Sequence, residues 1–199
     1  MPQNLIDIEV KGRQITILGA ISLKLMVSDE FNYIGSQEIL VYDISKVFNY
    51  VFTTPTNNER EDRVTSKLLF LQYEYYLPEF KQPYNYKSTD LITLGGIVWQ
   101  RDNFLFRSTY DDWNPKSDGY QLMTFLEKKN LKHPEWVWNN RLVTMLNDEK
   151  TQELLIIYLE EVPQDRLKLF VLNGKIIVDQ WQQEKANLRI RSLSAFSVL

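Results

Sequence analysis

The 199-residue sequence predicts an α+β fold, a single domain over residues 1–199 in which a mainly antiparallel β-sheet packs with three or four helices. Near the N-terminus, Ile6, Ile8 and Val10 alternate with polar residues, as in a strand with one buried face. In the middle of the chain, apolar residues recur at helical spacing. Toward the C-terminus, Asn173-Gly174 separates two apolar runs, which is typical of a two-residue hairpin turn.

The predicted strands lie mainly toward the two ends of the chain. In order they are 5–10, 14–18, 20–27, 38–42, 91–99, 104–108, 153–162, 167–172, 175–181 and 187–199. Gly95-Gly96 indicates a bulge or a close backbone approach within its strand, and residues 100–103 are predicted to form a turn. The apolar run 153–162 also suits a buried helix, but the hairpin that follows it favours a strand.

The predicted helices are 43–52, 56–77, 118–129 and 134–146. Asp43 is placed as the N-cap of the first, although residues 50–53 also suit a strand. Thr56 and Glu59 match a capping box, and Pro78 would end the second helix. Asp118 is the predicted N-cap of the third helix, and Pro134 opens the fourth at the first helical position.

Composition and charge narrow the classes of function. The net charge of -3 makes nucleic acid an unlikely partner, because its binding needs a cationic surface. The chain has no cysteine, which removes disulfides and thiolate chemistry and fits a reducing compartment. No apolar run approaches the ~20 residues of a membrane-spanning helix, and the N-terminus lacks signal-peptide features. We therefore expect a cytoplasmic protein without a membrane partner.

The side chains that often carry catalysis or bind metals are sparse in this sequence. His133 is the sole histidine, and no Gly-x-Ser-x-Gly motif accompanies it, so a surface or capping role is favoured. Asp112, Asn114 and Asp118 suggest a calcium loop, but Lys116 and Met123 occupy positions where an EF-hand needs oxygen ligands. We expect neither a metal nor a cofactor.

Asp7, Glu9 and Lys11 supply the alternative function. Their spacing resembles the Glu-x-Glu-x-Lys strand of triphosphate-tunnel enzymes and half of the motif of PD-(D/E)xK nucleases. The resemblance covers five residues and implies metal-assisted phosphoryl chemistry, whereas a solvated strand face explains the same residues. A Mg²⁺-dependent phosphohydrolase or nuclease using Asp7 and Glu9, or Asp111 and Asp112, is therefore the alternative.

The favoured function is a non-catalytic binding or assembly protein, such as an adaptor, chaperone, inhibitor or complex subunit. It would act through an aromatic-rich surface on a protein partner or on further copies of itself. The predicted binding residues occupy the junction between a strand and a helix. They are Arg107, Tyr110, Asp111, Asp112 and Trp113.

Overall fold

A computed structural model describes residues 6–55, 65–108, 114–172, 175–176 and 178–199. The strands are β1 Ile6–Lys11, β2 Gln14–Gly19, β3 Leu23–Val27, β4 Asn32–Val41, β5 Ser45–Thr53, β6 Lys67–Tyr76, β7 Leu91–Leu94, β8 Ile97–Arg107, β9 Trp136–Met145, β10 Gln152–Glu161, β11 Val171–Leu172, β12 Lys175–Ile176 and β13 Phe196–Val198. The helices are α1 Asp118–Lys128, α2 Gln164–Phe170 and α3 Val178–Ser194.

A seven-stranded antiparallel sheet in the order β4-β5-β6-β10-β9-β8-β7 forms the centre of the molecule. Its middle strands, β6 and β10, are almost continuously buried because both faces of the sheet are covered. Along β10, Leu154, Ile156 and Tyr158 belong to one apolar cluster, and Leu155 and Ile157 belong to the other. The alternation of side chains across a strand thus divides one apolar run between two cores.

A four-stranded sheet, β1-β2-β3-β13, covers one face of the large sheet together with α3. Ile17, Leu25 and Phe31 from this layer are completely or almost completely buried in the shared apolar cluster. The β7–β8 turn also reaches this layer, because a Cβ added to Gly95 would lie 2.6 Å from Leu23 Cδ1.

Helix α1 covers part of the opposite face. Its buried residues Leu122, Met123 and Leu126 pack in an apolar cluster with sheet residues such as Phe70 and Ile157. The helix begins after Ser117, whose hydroxyl accepts a hydrogen bond from the backbone N–H of Tyr120. Helix α1 has only 11 residues, whereas the sheet that it packs on has seven strands.

The predicted fold class, α+β with three or four packed helices, is wrong. The described residues form a mostly antiparallel β structure with two main sheets and three helices. Strands β5 and β9 occupy most of the predicted helices 43–52 and 134–146, and β6 occupies residues 67–76 of the predicted helix 56–77. The beginning of that predicted helix, residues 56–64 with the expected capping box, lies outside the described residues. Where both faces of a strand are buried, apolar residues stand at nearly every position and also match helical spacing by coincidence.

Turn positions differ from the prediction as well. Asp43 is not an N-cap but lies with Tyr42 in the β4–β5 turn, at positive φ angles of 61° and 50°. Gly95-Gly96 forms the β7–β8 turn, so β8 continues through the expected turn at 100–103. The predicted close approach is present at Gly95, whose backbone packs against the Leu23 and Val198 side chains, and is absent at Gly96.

The C-terminal region is more helical than predicted. Residues 167–172 belong mostly to α2, and α3 occupies most of the expected strands 175–181 and 187–199. The hairpin is confirmed only as the pairing of the two-residue strands β11 and β12, and Asn173-Gly174 lies outside the described residues. The β1–β2 hairpin, the β10 strand and α1 are confirmed, but the N-cap of α1 is Ser117 and not Asp118. No helix of the described part is long and apolar enough to cross a membrane.

Candidate functional site

A cavity of about 220 Å³ lies between α1 and the large sheet. Four strands, β5, β6, β10 and β9, contribute its floor, and β8 closes one side. These strands supply the floor because alternate residues point toward α1, and cross-strand pairing brings those residues into rows. One such row contains Val51, Phe70, Ile157, Arg141 and Asp102.

The middle of the cavity is apolar. Phe70, Ile157 and Leu159 lie on the sheet side, and Leu122 and Met123 lie on the helix side. Two further rings belong to β8: Phe104 and Phe106 have their centroids 5.6 Å apart in a tilted arrangement. Their position next to the cavity provides a rigid aromatic wall.

Two asparagines place buried polar atoms in this apolar setting. Asn49 on β5 is 1% exposed and Asn139 on β9 is 6% exposed, and both line the cavity. Among the described residues, no group hydrogen-bonds to the Oδ1 atom of either side chain. A buried polar atom without a partner costs roughly 1–3 kcal/mol of stability, so two in one cavity require an explanation.

Arg141 is held in place beside Asn139. Its Nε and Nη2 atoms donate to the carboxylate of Asp102 at 3.1 and 2.6 Å, and its guanidinium lies 4.9 Å from the Tyr86 ring centroid and 5.5 Å from that of Phe104. Burial acts to lower the pKa of Arg141, but the hydrogen bond and charge of Asp102 outweigh it and raise that pKa. No described residue accepts a hydrogen bond from Nη1, which is thus available to a ligand.

A pair of carboxyl groups lies beside the cavity. Glu74 and Glu153 are direct cross-strand neighbours on β6 and β10. Gln72 donates to Glu74 at 2.9 Å, and the Tyr86 hydroxyl donates to Glu153 at 2.8 Å. Burial, and then the charge of Glu74, raise the pKa of Glu153 to about 8, so Glu153 retains its proton at neutral pH.

The predicted binding residues do not form this cavity in the described part of the chain. Arg107 lies on β8, where it is exposed and pairs with Glu135 at 2.8 Å. It alternates with Phe106, so its side chain points to the face of the sheet opposite the cavity. Tyr110, Asp111, Asp112 and Trp113 lie outside the described residues.

The other candidates have structural contacts or remain on the surface. The His133 ring lies 3.0 Å from the Ser108 hydroxyl, and burial lowers the pKa of His133. Glu9 and Lys11 form an exposed ion pair at 2.8 Å on β1. Within the described ranges, no group of three or more His, Asp and Glu side chains is arranged to hold a metal ion.

Sequence reasoning missed Asn49, Asn139, Arg141 and Glu153. The available signal was a polar residue inside an apolar, β-branched or aromatic run, as at Asn49 within Val47–Val51. In a strand with two buried faces, such a residue must point into a core or a cavity. The signal was lost because the segments around Asn49 and Asn139 were assigned to helices.

Comparison of the chain with protein-family models, curated proteins and solved structures gives no significant match.

Proposed function

We propose that this protein is a non-catalytic binding protein and that the cavity between α1 and the large sheet receives its ligand. The observation that carries the proposal is the pair of buried Asn49 and Asn139 Oδ1 atoms that have no partner among the described residues. A ligand in the cavity that turns either amide so that its Oδ1 atom accepts a hydrogen bond would recover the free energy lost in burying that atom.

The chemistry of the lining also favours binding. Asn, Gln and Arg side chains orient a ligand through hydrogen bonds, and the phenylalanine rings contribute apolar contact area. In this proposal, the aromatic-rich binding element expected from the sequence corresponds to the phenylalanine rings that line the cavity. A protein partner and a cytoplasmic location, both expected from the sequence, remain parts of the proposal.

The first test fills the cavity. Met123→Trp puts a larger side chain into the cavity from α1, whereas Ile190→Trp makes a similar change at an exposed position of α3. The probe is benzamide, which combines an aromatic ring with an N–H donor. We expect NMR titration to shift the side-chain amide of Asn139 in the wild type and in Ile190→Trp, but not in Met123→Trp.

Thermal unfolding of both variants establishes that they are folded before titration. An Asn139 amide that does not respond to benzamide in the wild type contradicts the proposal. An equal response in Met123→Trp also contradicts it, because binding would then occur outside the cavity.

A further inference from the structure

The two ends of the cavity differ in charge. Asp118, in the first turn of α1, lines the cavity and lies close enough to Glu74 and Glu153 to interact electrostatically with both. Asn49 and Gln72 belong to the same end, on β5 and β6. The other end, on β9, carries the Arg141 guanidinium. A ligand with a donor or positive group at one end and an acceptor or negative group at the other fits this polarity.

The separation of the ends sets the length of the ligand. Asn49 and Arg141 lie on strands that are separated by β6 and β10. Three inter-strand spacings amount to ~14 Å, and the two-residue offset in register between Asn49 and Arg141 lengthens the path between their Cα atoms to ~16 Å. An extended peptide advances at most ~3.3–3.6 Å per residue, so about four residues span this distance.

The lining matches the groups of a peptide. The Asn49 and Asn139 side chains line the cavity toward either end, and a primary amide offers both hydrogen-bond donors and an acceptor to a peptide backbone. Between them, the apolar surfaces of Phe70 and Leu122 offer space for an apolar side chain.

Arg141 suits a terminal carboxylate. Asp102 binds its Nε and Nη2 atoms, and Tyr86 and Phe104 lie beside the guanidinium, so the side chain is fixed before a ligand arrives. A fixed guanidinium loses little conformational entropy when Nη1 donates to a carboxylate.

We propose that the ligand is a short extended peptide of about four residues, lying across the strands with its amino end toward Asp118 and its free carboxylate at Arg141. This inference rests on the proposed function, because it names the class of ligand for the same cavity.

The experiment compares three forms of one peptide by isothermal titration calorimetry at pH 7. The probe is Ala-Leu-Phe-Ala with both ends free, with an N-terminal acetyl group, or with a C-terminal amide. We expect the free peptide to bind and the amidated form to bind about 10-fold more weakly or worse, because a charge-assisted hydrogen bond is lost. We expect Arg141→Gln to remove the preference for the acid over the amide.

The amino end is tested by Asp118→Asn, an exposed position whose substitution leaves the core unchanged. This variant should bind the free peptide several-fold more weakly and the acetylated peptide as before. The matched control is Asp165→Asn, the same change in the first turn of α2 and outside the cavity lining. If Arg141→Gln does not fold, the Asp118→Asn comparison decides the orientation.

The outcomes separate the two proposals. If benzamide shifts the Asn139 amide but no form of the peptide binds, or all three forms bind equally, the peptide assignment is wrong and the cavity proposal stands. If neither benzamide nor peptide binds, both fail. Preference for the amidated over the free peptide overturns the assignment of the carboxylate to Arg141.

Discussion

Glu153 makes the stability of this protein depend on pH. Its side chain is 1% exposed, faces Glu74 across the strands, and has its pKa raised from 4.5 to about 8 by burial and then by Glu74. Between these two pKa values the unfolded chain releases the proton while the folded chain keeps it. The free energy of unfolding therefore falls as the pH rises from about 4.5 to about 8, and this contribution is constant above that range.

We predict that Glu153→Gln flattens this pH dependence. The variant keeps an oxygen for the Tyr86 hydroxyl but cannot ionise. Its stability relative to the wild type should rise between pH 5 and pH 8, by on the order of a few kcal/mol. Urea unfolding at several pH values measures this difference. Glu149→Gln, at an exposed position, serves as the control and should change nothing; a pH-independent difference for Glu153→Gln would contradict the argument.

Asn139 and Asn140 show how side-chain direction decides the role of adjacent identical residues. Asn139 points into the cavity, whereas Asn140 accepts a hydrogen bond from Asn103 on the neighbouring strand. The Oδ1 atom of Asn140 thus accepts a hydrogen bond within the protein, whereas the Oδ1 atom of Asn139 accepts none from a described residue. Arg141, two residues after Asn139, points to the cavity face as well, because side chains alternate between the two faces of a strand.

The β7–β8 turn favours glycine because of its backbone angles and because of how closely it packs on the small sheet. Gly95 and Gly96 both have positive φ angles, 59° and 75°. A Cβ at Gly95 would lie 2.6 Å from Leu23 Cδ1 and 3.0 Å from Val198 Cγ1, while a Cβ at Gly96 would have no atom within 4 Å. The turn is thus packed against the small sheet at one glycine and open at the other.

We predict that Gly95→Ala is more destabilising than Gly96→Ala. Gly96→Ala should cost about 1 kcal/mol, from the positive φ angle alone. Gly95→Ala should cost roughly 2–4 kcal/mol, since Leu23 and Val198 must also move. Chemical denaturation of the two variants gives the comparison. Equal losses would mean that the turn does not pack on the small sheet.

Sequence analysis identified most readily the elements that have one apolar face. Strand β1 and helix α1 alternate or repeat with polar residues, so their periods are visible. Strands β6 and β9 are buried on both faces, and apolar residues at most positions concealed their period of two. Strand β10 was predicted correctly because of the hairpin signal in the residues that follow it, and not because of its own pattern.

The candidate site was harder to predict than the elements. Its residues come from five strands and one helix, and their proximity depends on the order β5-β6-β10-β9-β8, which no local pattern contains. Of the predicted binding residues, Arg107 is the one that lies within the described part of the chain, and its side chain points to the opposite face of the sheet. Cross-strand register, which follows from tertiary pairing, is what brings Asn49, Gln72 and Arg141 together.

The unequal covering of the large sheet explains why the molecule has a cavity. One face is closed by a four-stranded sheet and α3, and the other by the shorter helix α1. Between α1 and the sheet, side chains of the middle strands line an accessible space. Asn49 and Asn139 lower the stability of the fold at this cavity, and such a loss is expected at residues that serve a ligand.

Replacement of Asn139 by leucine tests the central claim most directly. We predict that Asn139→Leu unfolds at a higher temperature than the wild type, because the substitution removes a buried amide whose missing hydrogen bond costs roughly 1–3 kcal/mol of stability. We also predict that benzamide no longer raises the melting temperature of this variant. Asn140→Leu, whose amide is hydrogen-bonded by Asn103, should be destabilised and should still respond to benzamide. The contrary result is an Asn139→Leu protein that is less stable than the wild type and still stabilised by benzamide, since Asn139 would then serve the fold and not a ligand.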